Sequence, residues 1–109
     1  ILGAQKKQQD VQAGGYFNTM WGMFDKGIGT LAYNGSWNLF DQIIISGNLL
    51  GKDRSTLKYI RSEVFNRDFL KQKEGKYKGD PFRTHAAGVY LNGYSDHFPT
   101  LIYLAKEIK

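Results

Sequence analysis

Two stretches of this chain combine residue types that can move a proton or hold a cation. One is GYSDHFP at 93–99, where Ser95, Asp96 and His97 stand in a row between Gly93 and Pro99. The other is SWNLFDQIIIS at 36–46, which sets Asp41 inside an apolar run. Ser, Asp and His are the letters of a nucleophilic triad, but three adjacent side chains diverge, and a triad is assembled from separate segments. No Gly-x-Ser-x-Gly elbow occurs in the chain either. Zinc asks for several converging ligands, and here the histidines are His85 and His97, twelve positions apart, with no cysteine. A hard cation such as magnesium needs only one or two carboxylates, with water and substrate phosphate completing its shell. Asp96 can be one of these, or it can cap the turn on which it sits.

Asp41 poses the sharper question. On a strand, alternate side chains share a face, so Trp37, Leu39, Asp41, Ile43 and Ile45 fall on one side and Phe40 and Ile44 on the other. Both sides are largely apolar, which reads as a central strand covered on both faces. A carboxylate there is costly unless it is paired. A backbone N–H or an arginine can meet that need. So can His97, if the two strands are neighbours: Asp41 then fixes the imidazole tautomer and raises its basicity.

The elements that must position these groups follow from the local chemistry. Asn34-Gly35 tolerates the positive φ angles of a type I′ turn and is flanked by β-formers, predicting a hairpin of strands near 29–33 and 36–46. LKYIRSEVF at 57–65 reads as a strand, and TLIYLAKEI at 100–108 as a buried C-terminal one. Residues 1–9 read as the last turns of a helix, and the glycine- and aromatic-rich 13–29 as an irregular loop. Asn66 is placed to cap a short helix over RDFLKQK, and EGKYKGD at 74–80 is a basic loop closed by Pro81. Gly27-Ile28-Gly29 lacks the preceding strand and following helix of a nucleotide fingerprint.

At 109 residues, with 41% apolar and 23% charged residues, the chain is one domain at most and globular in composition. The absence of cysteine excludes a disulfide scaffold and a thiol nucleophile. No apolar run approaches the ~18 residues of a membrane span. The net charge of +5 is concentrated: segment 52–83 holds ten basic and five acidic residues, and the remainder is neutral. Such a segment attracts phosphate groups or is simply a solvated face.

Taken together, the two opening segments resemble the C-terminal part of the endonuclease/exonuclease/phosphatase superfamily, and its bacterial branch in particular. The family pattern is a Trp, an Asp opening an apolar strand that ends in Ser, then after a long loop Ser-Asp-His before the final strand. Trp37, Asp41, Ser46, Ser95, Asp96 and His97 match in order. The resemblance implies an α+β fold of the α/β sandwich family: a mainly antiparallel sheet with one or two short helices, one side of the deoxyribonuclease-like two-sheet sandwich. It implies an enzyme that hydrolyses phosphate esters, nucleic acid or a small phosphodiester, by activated water with Mg2+ or Mn2+. His97 and Asp41 would be the catalytic dyad, Asp96 would lie at the metal or its water, and Trp37 and Ser95 would border the substrate. The family's early Asn, its metal-binding Glu and its Gly-Asp-x-Asn strand have no counterpart here. The expectation is therefore a C-terminal fragment at 1–109, with the N-terminal half of the domain missing. Such a piece would be inactive alone and prone to self-association through an uncovered apolar face. Two other readings stay open. One is a small basic module binding polyanions or nucleic acid through 52–83, with Tyr59, Tyr77 and Phe82. The other is a structural domain in which Asp41 and His97 form a buried polar pair.

Overall fold

Asn34 and Gly35 adopt φ angles of 50° and 79°, and the turn they make joins β2 (Leu31–Tyr33) to β3 (Ser36–Asn38). This is the expected hairpin, in a computed structural model that describes residues 2–108. The described residues form four antiparallel pairs rather than one continuous sheet. β1 (Tyr16–Asn18) pairs with β4 (Ile44–Ser46), β2 with β3, β5 (Lys58–Val64) with β8 (Thr100–Ala105), and β6 (His85–Ala86) with β7 (Val89–Tyr90). One short helix, α1, spans Trp21–Asp25, and single 3-10 turns lie at Gln8–Asp10, Gly47–Leu49 and Asp68–Leu70. The architecture is α+β and mainly antiparallel, consistent with a piece of an α/β sandwich.

Several local expectations are corrected. The stretch read as one strand, 36–46, breaks after Asn38, and its second part turns to a different partner, β1. Residues near the N-terminus are not helical: Gln5 bridges to Phe17 in an extended segment before the 3-10 turn. The glycine-rich 13–29 contains β1 and α1, because Thr19 donates its hydroxyl (2.6 Å) and backbone N–H (3.1 Å) to the Ile43 carbonyl and so holds its segment against 39–43. Arg67, not Asn66, precedes the 3-10 turn at 68–70, and no side chain caps it. Neither apolar strand is covered on both sides, since Phe40, Ile44, Tyr103 and Leu104 all remain exposed.

The core is correspondingly small. Met20, Leu39, Val64 and Phe98 form its buried centre, with Met23, Ile43, Leu70 and Ile102 packed around them. A compact domain of this length has a radius of gyration near ~13 Å; here it is 16.9 Å, within extents of 49 × 35 × 21 Å. The described chain is flattened, 21 Å at its thinnest. No helix among the described residues is long and apolar enough to cross a membrane.

The loop at 93–99 is anchored from three directions. Phe98 N–H donates to the Thr30 carbonyl at the root of β2 (2.8 Å), Phe65 N–H after β5 donates to Pro99 (2.8 Å), and Tyr94 N–H donates to Phe82 (2.8 Å). A Cβ on Gly93 would collide with the backbone carbonyls of Phe82 and Arg83, so only glycine fits where this chain crosses 82–83.

Candidate active site

The bond from Phe98 to Thr30 brings the Ser-Asp-His loop against the segment that follows β3. There the His97 Nδ1 lies 2.7 Å from Asp41 Oδ2. The two strands do not neighbour each other, because β8 pairs with β5; the contact is made by the loops that precede β8 and follow β3. Asp41 is placed by a braced turn. Gln42 donates to the Leu39 carbonyl and accepts from Asn18 Nδ2 (2.8 Å), while Leu39 is sunk in the core.

The dyad is half-open, the side chains of His97 and Asp41 being 32% and 38% exposed. It is therefore a pair within reach of solvent, not the buried structural pair of the third reading. With Nδ1–H donated to the carboxylate, Nε2 is left as the free base of a neutral imidazole, and protonation there gives an imidazolium next to an anion. Partial burial pushes the Asp41 carboxyl up, but the Thr30 hydroxyl, the His97 ring and Asp41's own backbone N–H outweigh it and hold the carboxyl below its usual 3.8. The Thr30 hydroxyl is fully buried and favours the Asp41 carboxylate, and among the described residues it makes no full hydrogen bond. Nothing in the sequence marked Thr30, Asn18 or Gln42, since a threonine before a strand and amides in loops are ordinary.

A folded-state value below the unfolded one makes Asp41 stabilising wherever pH exceeds the unfolded carboxylate value, ~3.9. That contribution is lost as pH falls through the lower folded value. The carboxylate is more than a third exposed, so solvent screening keeps the contribution small. In thermal melts, the gap between the native chain and Asp41→Asn should close as pH drops below about 4. A gap that stays constant into strong acid would show that Asp41 acts through packing and not charge.

The remaining site residues differ in how they sit. Ser95 Oγ accepts the His97 backbone N–H at 3.1 Å, so it shapes the turn. Asp96 is exposed beside it. Trp37 stacks on Phe98, 5.8 Å between centroids at 17°, and Phe40 tilts toward the His97 ring at 6.3 Å. Trp37 and Phe98 also line an open groove of about 210 Å³ with Asn66 and Lys71, and none of Asp41, Asp96 or His97 lines it. Among the described residues no three His, Cys, Asp or Glu side chains converge as a metal-binding group.

The basic segment is not a single patch. Lys58 is buried, Arg61 covers the Tyr103 ring at 3.8 Å, and Arg67 pairs with Glu63 at 2.8 Å. The exposed lysines that remain together, Lys73, Lys76 and Lys78, ride on the 72–80 loop.

Comparison with known proteins shows the kinship of the chain. The model of the Endonuclease/Exonuclease/phosphatase family matches residues 1–106, nearly the whole chain. The chain belongs to the endonuclease/exonuclease/phosphatase family. No curated protein and no solved structure matches it. Membership supports a hydrolase of the phosphoesterase or nuclease type, acting on phosphate esters, in a family that is generally divalent-metal dependent.

Proposed function

We propose that the chain is the C-terminal part of a divalent-metal-dependent phosphodiesterase of the family's bacterial branch, with Asp41 and His97 as its acid–base dyad. The observation that carries this reading is the 2.7 Å contact between Asp41 and His97, made by the two segments that match the family pattern. His97 contacts the scissile phosphate and takes a proton from the attacking water at Nε2 as the new P–O bond forms and the ester P–O bond breaks, and the departing alkoxide takes up a proton as the alcohol. Asp41 keeps Nδ1 protonated, holds the ring in place, and stabilises the imidazolium that results. Trp37 walls the substrate groove, and Ser95 sets the turn that delivers His97.

The described residues do not make a metal cage. Asp96 would offer one exposed carboxylate to a Mg2+ or Mn2+, which would neutralise charge developing on the phosphate, and the other ligands would come from outside the described residues. The chain alone should therefore turn over bis(p-nitrophenyl) phosphate with Mg2+ or Mn2+ at a rate near background. The same chain joined to the metal-binding half of its domain should turn it over readily. Turnover by the 109-residue chain alone would show that its own residues suffice, and turnover by neither form would remove the phosphodiesterase reading.

The flattened shape and the apolar side chains left exposed on β4, β5 and β8, among them Ile44, Ile60 and Leu104, support a missing layer of the sandwich. The isolated chain should self-associate in sedimentation velocity. A single monomeric boundary at high concentration would count against a missing layer.

A further inference from the structure

A second cavity lies away from the dyad. It occupies about 260 Å³ between the β2–β3 turn, the 72–80 loop and the β6–β7 hairpin, and none of Asp41, Asp96 or His97 lines it. Three of its lining residues are small, Ala32, Ala86 and Ala87. Two phenols border it: Tyr33 is 68% exposed and Tyr77 53%. Polar groups of both kinds reach it as well, Gln72, Asp80 and Arg83. Arg83 spends one of its five N–H donors on a long 3.5 Å bond to the Ala32 carbonyl.

The walls are fixed without a ligand. Gln72 N–H donates to Asp80 (2.8 Å) and Gly79 N–H to Gln72 (3.0 Å), closing the loop on itself, and Phe82 N–H donates to Leu70 (2.7 Å). At the loop's edge Lys76 Nζ stands 5.5 Å from the Tyr77 ring. It lines a shallower hollow that shares Asn34, Tyr77 and Asp80 with the cavity.

Two exposed tyrosines, small alanines and mixed donors and acceptors in one lining suit a flat heteroaromatic ring. A cation just outside suits an anion attached to that ring. We infer that this cavity binds the base of a nucleotide, with its phosphate turned toward Lys76. The nucleotide is either free or one unit of a single strand, and the chemistry recognised is the same. This site is separate from the dyad and does not depend on its role. It also gives a place in the fold to the exposed lysines of the 72–80 loop, which make no ion pair among the described residues, whereas Arg67 pairs with Glu63.

The test is an NMR titration of the native chain with AMP, CMP, GMP and UMP, with ribose 5-phosphate and a short single-stranded oligonucleotide alongside. At least one mononucleotide should shift the amides of Ala32, Ala86 and Ala87 saturably. Ribose 5-phosphate should bind at least about tenfold more weakly, as expected for loss of base stacking. Tyr77→Ala, which trims an exposed side chain, and Arg83→Gln should each weaken the mononucleotide by about tenfold, with dispersed spectra showing that both variants fold. An oligonucleotide that binds more tightly than any mononucleotide at equal salt identifies a strand as the source, and equal affinity identifies the free nucleotide. The inference is overturned if no nucleotide binds, if ribose 5-phosphate binds as tightly as AMP, or if neither substitution changes affinity.

Discussion

His97→Ala, in the enzyme complete with its metal-binding half, should lower phosphodiester turnover by about a hundred- to ten-thousandfold, the usual contribution of a positioned acid or base. At 1.36 kcal/mol per tenfold, that is about 3–5 kcal/mol of transition-state stabilisation. The loss should fall on kcat, because the imidazole earns its effect only when a proton moves. Asp41→Ala should cost less, since the ring keeps its Nε2 while losing its fixed tautomer and its counter-charge. The decisive feature is non-additivity. Asp41 acts through His97, so the double variant should be no slower than His97→Ala alone. Two independent, multiplying losses would mean that Asp41 has a role of its own, and normal turnover in His97→Ala would remove the dyad altogether. His97 is partly exposed, so its replacement should leave the melting temperature nearly unchanged.

Phe98→Ala is the substitution with the largest expected effect on folding. The ring is 2% exposed in the cluster of buried side chains that it forms with Met20, Leu39 and Val64. Truncating a buried phenylalanine costs about 3–5 kcal/mol through lost transfer energy and the cavity left behind. A small domain has only about 5–15 kcal/mol in all. The ring is also the stacking partner of Trp37, and its backbone N–H ties the Ser-Asp-His loop to Thr30. Loosening it should therefore separate His97 from Asp41 as well. Urea denaturation of Phe98→Ala should show the midpoint collapse, and Phe98→Leu should recover most of it by refilling the volume. A loss below about 1 kcal/mol would place the true core elsewhere.

Asp41 and His97 show how far each level of description reaches. The sequence alone determined the residue types, their order against the family pattern, and the Asn34-Gly35 hairpin, because a turn that needs positive φ is written in two residues. It determined the β5 and β8 segments too, since both carry enough β-forming residues to be seen locally. It did not determine that 36–46 breaks after Asn38, because the alternation continues across the break and only the pairing of Ile44–Ser46 with β1 ends it. Nor did it show the strand and helix inside 13–29, whose support comes from Thr19 bonding to Ile43, 24 residues away. Burial of the apolar strands was overestimated for a related reason: hydrophobicity says that a face wants a cover, not that this chain supplies one. The dyad itself is the clearest case. Spacing left open whether residues 56 apart meet. Tertiary structure decided it through the backbone bonds that anchor the loop, Phe98 to Thr30 among them, since the position of a loop is set by what its ends are tied to and not by its own residues.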